Sequence, residues 1–290
     1  MANLHTMRLE GASTLNARND PDYTNTLPNH TSQVTGRPVD GSNGHGVDFN
    51  DDNGSTVHAS AGEYVASVYD VVHDHGFGTA AYAGKEKFDV HDRSWNASNG
   101  ASDVTGADNG RDKIDIFVRD SPDDAAEIFL ADLADHSDLA YTFFHIRYPD
   151  GAGHGHDWGS SDYRDAVERS DVVLGTIMDA VRANPEWSET TAVIVTSDHG
   201  GPIGQDSHYD HELEANYTIP FVVWAPDAAA GSDLYALNPA SRRDPGSAEV
   251  SVNGTQPVRG HEVGNLALDL LGLPSIPGSS FNEGFDLSIG

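Results

Sequence analysis

Two segments decide the fold of this chain: LAYTFFHIRYPD at residues 139–150 and AVIVTSDHGG at residues 192–201. Each begins with an apolar run typical of a buried β-strand, and each reaches an aspartate within a few residues of the end of that run. In α/β folds, ligands bind outside the carboxyl ends of the strands. The two segments therefore predict an α/β protein with a polar site at its strand ends.

The rest of the chain alternates between strand and helix patterns. Strands are also predicted over residues 79–83, 114–118 and 219–224, and helices over residues 57–75, 122–133, 160–181 and 265–271. Residues 1–56, 89–113 and 227–257 are polar and loop-like. The alternation predicts a mostly parallel central sheet flanked by helices, and no repeat or linker divides residues 1–290 into more than one domain.

Acidic residues dominate the charge of the chain. There are 46 aspartates and glutamates against 16 lysines and arginines, and the formal net charge is −30. The even spread of acid is typical of a halophilic protein, because molar salt shortens the Debye length to about 3 Å and screens self-repulsion. An ordinary acidic protein is the alternative. With no basic face, we expect no nucleic-acid-binding surface.

The composition also bounds the cofactor. The chain contains no cysteine, so any metal must be held by oxygen and imidazole ligands. No apolar run approaches the length of a membrane span, and residues 1–20 lack the apolar stretch of a signal peptide. The sequence leaves localisation and oligomeric state open.

Three motifs supply candidate metal ligands: Asp150 with His154, Asp198 with His199, and His208 or His211, of which His208 is preferred. Glycines between or after these residues predict turns that aim the side chains at one point. Carboxylate with neutral imidazole suits zinc, and manganese less strongly. The alternative interpretation is a set of polar turns with incidental histidines.

A threonine-rich segment, TNTLPNHTSQVTGRP at residues 24–38, supplies hydroxyl groups. A hydroxyl nucleophile needs activation, and metal coordination activates it by favouring the alkoxide. From composition alone, the segment is a threonine-rich loop.

Taken together, these motifs resemble the alkaline phosphatase superfamily and are closest to its type I phosphodiesterase and nucleotide pyrophosphatase branch. Residues 26–36 are similar to the nucleophile motif of that branch, and residues 45–47 to the His-Gly-Ile that follows it. The strand-end motifs and residues 216–224 continue the resemblance over essentially the whole chain. An alkaline-phosphatase-like layered fold is therefore expected.

The resemblance implies a role for each candidate residue. Thr26 is the implied nucleophile, and Asn50 the implied contact to a phosphoryl oxygen. His261 is an alternative last ligand, because that histidine comes later in the nucleotide pyrophosphatases. The implied ligands divide between two divalent ions, zinc first and manganese second: Thr26, Asp198 and His199 hold one, and Asp150, His154 and His208 hold the other.

The implied reaction is hydrolysis of a small-molecule phosphate ester through a threonine phospho-enzyme. Asn50 favours a diester, because an asparagine suits a less charged group. A phosphomonoesterase is the alternative within the superfamily. A sulfatase is disfavoured, because the chain offers threonine at the nucleophile position and no cysteine for conversion to formylglycine.

One departure from the family favours a non-catalytic relative that binds metal only. The family begins with a buried strand ending in Asp-Gly, whose aspartate binds the metal at the nucleophile. Residues 1–4 resemble the segment just after that strand. The chain is therefore expected to lack the first strand and this one ligand, which should weaken the sheet.

Overall fold

The computed structural model describes residues 1–105, 110–281 and 287–290. The strands in this part of the chain are β1 Ala12–Arg18, β2 Gly78–Ala83, β3 Ile116–Arg119, β4 Leu139–Phe144, β5 Val193–Thr196, β6 Thr218–Trp224 and β7 Ser232–Asp233. The α-helices are α1 Ala2–Glu10, α2 Thr26–Thr35, α3 Val57–Ala61, α4 Val68–Asp74, α5 Asp89–Ser94, α6 Pro122–Asp135, α7 Tyr148–His156, α8 Ser161–Ala183, α9 Pro185–Thr190, α10 Glu214–Tyr217, α11 Leu234–Leu237 and α12 Val263–Leu270. The predicted α/β class is confirmed. Among the described helices, none is long and apolar enough to cross a membrane.

The chain forms two compact units, each with its own sheet. The first unit comprises Met1–Asn29, Arg147–Gly260 and Leu287–Gly290, and the second comprises His30–Ile146 and His261–Asp286. The interpretation of residues 1–290 as a single domain stays a prediction.

The sheet of the first unit has the strand order β5-β6-β1-β7. Strand β6 runs antiparallel to both β5 and β1, and β7 runs parallel to β1. Helices α1 and α8 contribute to an apolar cluster with strand β6: Met7, Leu174, Met178, Val181, Val222 and Trp224. The antiparallel pairs differ from the parallel pairing expected from the sequence. Between β5 and β6 the chain has only loops and the short α10, and antiparallel neighbours need no long crossover helix.

The second unit contains the expected parallel sheet, in the order β3-β2-β4. The central strand β2 is buried along most of its length. Helix α6 contacts it through the rings of Tyr82 and Phe129, whose centroids are 5.4 Å apart. Helix α4 contacts β4 through Tyr69 and Tyr141, at 5.3 Å. Helices therefore cover the sheet as the alternating sequence pattern predicts.

Strands β4 and β5 are edge strands, which corrects their interpretation as buried. Each lies at one end of its sheet order, and most of their side chains are only half-buried. An edge strand has a neighbour on one side only, so its side chains lack the cross-strand contacts that a second neighbour supplies. Both strands are therefore less buried than their apolar composition predicts.

The polar N-terminal region is more ordered than its composition predicts. Residues 1–56 contain α1, β1 and α2, where the sequence shows little periodicity. Strand β1 pairs with β6 on both sides of a register irregularity between Thr14 and Ala17, so the tertiary partner overrides a weak local preference. The helix predicted over residues 57–75 is two helices, because Gly62 ends α3 with a φ of 75°.

Asp171 of α8 caps the start of α1. Its carboxylate accepts hydrogen bonds from the backbone N–H groups of Asn3 at 3.0 Å and Leu4 at 2.8 Å. The first N–H groups of a helix have no partner within the helix, so they need such an acceptor. The side chain of Asn3 donates in return to the Asp171 carbonyl at 2.8 Å. This exchange couples α1 to α8 beside their apolar contact.

Replacing Asp171 by alanine should lower the free energy of unfolding by about 1–2 kcal/mol, because two partly buried N–H donors lose their acceptor. Urea unfolding measures the change. The matched control is Asp179→Ala, since Asp179 is exposed on the same helix and its loss should cost less than about 0.5 kcal/mol. Equal losses in the two variants would contradict the capping role.

Candidate metal centre

Helix α7 carries the first pair of candidate ligands. Asp150 lies in its first turn and His154 in its last, four residues apart, so both side chains project from the same face. The sequence predicted a glycine turn here. The structure has a helix instead, which brings the two side chains together by its pitch.

The second pair follows strand β5. Asp198 and His199 lie just beyond Thr196, where β5 ends. The buried side chain of Asn19, which follows β1, donates to the Asp198 carbonyl at 3.1 Å. The Gly200 N–H donates to the Asn216 carbonyl at 2.8 Å. These bonds fix the turn that carries the aspartate and the histidine.

Main-chain carbonyls orient the three imidazoles. The Nδ1 atoms of His154, His199 and His208 lie 2.8, 2.8 and 2.5 Å from the carbonyl oxygens of Asp206, Gly200 and Thr24, respectively. A carbonyl can only accept, so each Nδ1 carries the proton. In the neutral form of each ring, the Nε2 atom then presents a lone pair, which is the form of histidine that binds metal.

The Nε2 atoms converge on the carboxylate of Asp150. Its Oδ1 atom lies 3.4 Å from the Nε2 of His154, 3.5 Å from that of His199 and 3.7 Å from that of His208. The Nε2 atoms of His154 and His208 are 3.1 Å apart. The Asp198 carboxylate is 3.2 Å from the His199 Nε2. Five of the predicted ligands therefore meet in one place within the first unit.

This donor set fits a divalent metal ion. Asp150, His199 and His208 offer ligand atoms that all lie within 4.8 Å of one another. The His199 Nε2 is buried and has no hydrogen-bond partner among the described residues, as expected of an atom whose partner is a cation. Carboxylate and imidazole together suit zinc or manganese. The division of the ligands between two ions stays a prediction.

Burial favours the neutral form of the His208 ring. The rings of His199 and His208 stack with their centroids 3.5 Å apart, and both side chains are buried. Burial and then the neighbouring His199 lower the pKa of His208 to about 3. By contrast, the side chain of His154 is 36% exposed, so the centre is open to solvent on that side.

Thr26 is the first residue of α2 and is only 2% exposed. Two residues earlier, Thr24 makes two hydrogen bonds with His208: its hydroxyl donates to the His208 carbonyl, and its own carbonyl accepts from the His208 ring, both at 2.5 Å. The segment that leads into Thr26 is thus tied to one of the candidate ligands. The N-terminus of a helix also offers N–H groups to an anion.

The other candidates are Asn50, His261 and His211. Asn50 and His261 belong to the second unit, where His261 packs against the ring of Phe281 at 4.5 Å. His211 interacts electrostatically with Glu249. Of the three histidines considered for the last ligand, the structure places His208 beside His154.

Sequence reasoning missed two groups that shape the centre: the Thr24 carbonyl and the indole of Trp158. The role of a main-chain carbonyl cannot be predicted from the sequence, because every residue has one. Trp158 could have been noticed, because it is a large aromatic residue within a run of glycine, histidine and aspartate. It is 4% exposed, and its ring centroid lies 5.1 Å from that of His154.

Carboxylates and imidazoles gathered beyond a strand end define a hydrolase-like metal centre on an α/β fold. The family model for type I phosphodiesterase / nucleotide pyrophosphatase matches residues 1–249. The chain therefore belongs to that family, and it is a phosphoric ester hydrolase of the alkaline phosphatase superfamily. The family predicted from the motifs is confirmed.

Solved structures share the fold at low sequence identity. Human ectonucleotide pyrophosphatase / phosphodiesterase 5 is 13% identical, with a TM-score of 0.66 over 99% of this chain and 94% of that one. An inactive threonine-to-alanine variant of the murine protein in complex with AMP is 15% identical, with a TM-score of 0.64 over 98% and 93%. The PsFucS1 sulfatase from Pseudoalteromonas sp. is 14% identical, with a TM-score of 0.54 over 98% and 64%. No curated protein matches the sequence.

The low pKa of His208 should make the stability of the metal-free protein depend on pH. Below its usual value of 6.5 the unfolded histidine binds a proton, whereas the folded one does not until about pH 3. The free energy of unfolding should therefore decrease as the pH is lowered from 6.5 towards 3, by up to about 1.4 kcal/mol per pH unit from this residue.

Urea unfolding of His208→Asn in the presence of a chelator measures this contribution, because the variant should show a shallower pH dependence than the wild type. The control is His156→Asn, since His156 is exposed on α7 and should leave the slope unchanged. A wild-type slope in His208→Asn would show that the ring titrates normally.

Proposed function

We propose that this chain hydrolyses small-molecule phosphodiesters of nucleotide type, with Thr26 as the nucleophile and two divalent metal ions as cofactors. The observation that carries the proposal is the convergence of Asp150, Asp198 and three Nε2 lone pairs. Membership of the phosphodiesterase family supports the reaction. The AMP complex of the murine relative supports the substrate class.

The proposed ligands are Asp150, His154 and His208 for one ion, and Asp198, His199 and Thr26 for the other. Such ions, when bound, polarise phosphoryl oxygens and favour the ionised form of a hydroxyl group. Zinc is proposed first and manganese second, because every available donor is oxygen or imidazole nitrogen.

Thr26 would form the bond to phosphorus while the bond to the leaving-group oxygen breaks in line. The hydroxyl proton passes to solvent, and the leaving alkoxide takes a proton from solvent. Water then cleaves the threonine phosphodiester, which restores the Thr26 hydroxyl and releases the phosphomonoester. The N–H groups at the start of α2 are suited to hold the phosphoryl oxygens during both steps, since a helix N-terminus attracts anions.

The preference for a diester rests on Asn50, whose assignment as a phosphoryl contact comes from sequence resemblance alone. The sulfatase among the structural neighbours favours sulfate esters as a second candidate. Threonine at the nucleophile position and the absence of cysteine argue against that candidate. Phosphomonoesters are the third substrate class, and an assay must distinguish them from phosphodiesters and sulfate esters.

Hydrolysis should be faster for bis-p-nitrophenyl phosphate than for p-nitrophenyl phosphate or p-nitrophenyl sulfate. The assay is run in high salt with added zinc or manganese, because the proposed halophilic surface needs screening. Thr26→Ala should lose activity by about 10³-fold or more while it keeps its metal.

The matched control for this variant is Thr176→Ala on the exposed face of α8, which should keep wild-type turnover. Full activity of Thr26→Ala would overturn the nucleophile assignment. A preference for the monoester or the sulfate would replace the proposed substrate class.

Metal content separates the enzyme from a relative that binds metal without catalysis. Elemental analysis of the dialysed protein should give two ions per chain, and Asp150→Asn should reduce the bound metal, because it removes the carboxylate on which three imidazoles converge. One ion or none in the wild type would favour the non-catalytic alternative.

A further inference from the structure

We propose that Trp158 is a positioning residue that holds the imidazoles of His154 and His208 in their ligand geometry. The inference rests on the proposed metal centre. It extends that centre to a side chain that binds neither metal nor substrate and acts through its contacts with two ligands.

The indole of Trp158 lies against both rings. Its centroid is 5.1 Å from that of His154 at an interplanar angle of 79°, and 5.6 Å from that of His208 at 72°. The two imidazoles therefore meet one aromatic body, nearly perpendicular to each. Because Trp158 is 4% exposed, that body has little freedom to move.

Two glycines let the indole approach the main chain. A Cβ atom at Gly153 or at Gly201 would overlap the Trp158 ring system. Gly153 immediately precedes His154, and Gly201 follows His199 by two residues. The indole therefore lies against the backbone just before His154 and two residues after His199. Glycine at these two positions is required by the tryptophan and not by backbone conformation, since neither has a positive φ.

The main chain of Trp158 holds the loop that orients His154. Its N–H donates to the Gln205 carbonyl, and its carbonyl accepts from the Gly204 N–H, both at 2.9 Å. Asp206, which follows Gln205, supplies the carbonyl that accepts the hydrogen bond from the His154 Nδ1–H group. Displacement of Trp158 would thus disturb the orienting bond of His154 as well as its ring contact.

The residue before the tryptophan is in a strained conformation. Asp157 is exposed and has a φ of 68° and a ψ of 143°, and it is the only non-glycine residue with a positive φ in the described part of the chain. Such a conformation persists only where the surroundings impose it. Here it turns the chain at the end of α7 so that the next residue faces the histidines.

Simple core packing is the alternative role, and the neighbours of Trp158 argue against it. The apolar cluster of the first unit gathers residues of α1, α8 and β6, with Trp187 packed against it. Trp158 is buried as well, but its ring neighbours are the imidazoles of His154 and His208 and, at 6.3 Å, the ring of Tyr163. Loss of a residue that only fills space would lower stability without changing the imidazole tautomers.

The test compares Trp158→Ala and Trp158→Phe with the matched control Trp187→Phe. Zinc affinity is measured by competition with a chelator. Trp158→Ala should bind zinc about 10–100-fold more weakly, as is typical when a group that orients a metal ligand is lost. Trp158→Phe retains a ring against the glycines and should recover most of the affinity, and Trp187→Phe should bind as the wild type does.

A second measurement reports on the metal-free protein. Imidazole ¹⁵N NMR, with signals assigned through His154→Gln and His208→Gln, should show Nδ1-protonated rings in the wild type and a mixture of tautomers in Trp158→Ala. Wild-type affinity together with wild-type imidazole signals in Trp158→Ala would overturn the proposal, whatever the loss of thermal stability. If the wild type binds no zinc, the proposed function fails, and the NMR comparison alone decides the positioning role.

Discussion

The metal centre depends on three hydrogen bonds from imidazole Nδ1 groups to main-chain carbonyls. The acceptors belong to Thr24, Gly200 and Asp206, so the tautomer of each ring is set by the course of the backbone. Each bond selects one tautomer and directs one lone pair inward. The ligand geometry therefore cannot be separated from the fold of the first unit, since any movement of these loops redirects a donor atom.

Several residues that the sequence marks as candidate ligands lie together in the structure, whereas the strand directions of the first unit differ from those expected. An apolar run that ends in aspartate and histidine is a local pattern, and the structure brings both such segments together. Helix α7 was missed because its three glycines disfavour a helix, although Pro149 and Asp150 suit its first turn. Strand direction was beyond reach, because periodicity gives the faces of a strand and not its partners. The half-burial of β4 and β5 could not be predicted either, because it depends on how many strands pair with each of them.

The three imidazoles of the centre differ in their burial. His199 and His208 stack beneath the surface, and desolvation favours the neutral form of the His208 ring. His154 lies at the solvent side of the centre, with 36% of its side chain exposed. Trp158 contacts both the exposed ring and one of the buried rings, so it links the two levels of the site.

The edge position of β5 has a consequence for the behaviour of the protein in concentrated solution. Within the described residues β5 pairs with β6 alone and carries half-buried valine and isoleucine, and an edge strand of this kind can template a strand from another copy. Many proteins protect an edge with lysine, but this chain has 16 basic residues in all. Repulsion between copies that each carry a net charge of −30 opposes such pairing. The same salt that relieves repulsion within one molecule removes this barrier between molecules, so colloidal stability and folding stability respond to salt in opposite directions.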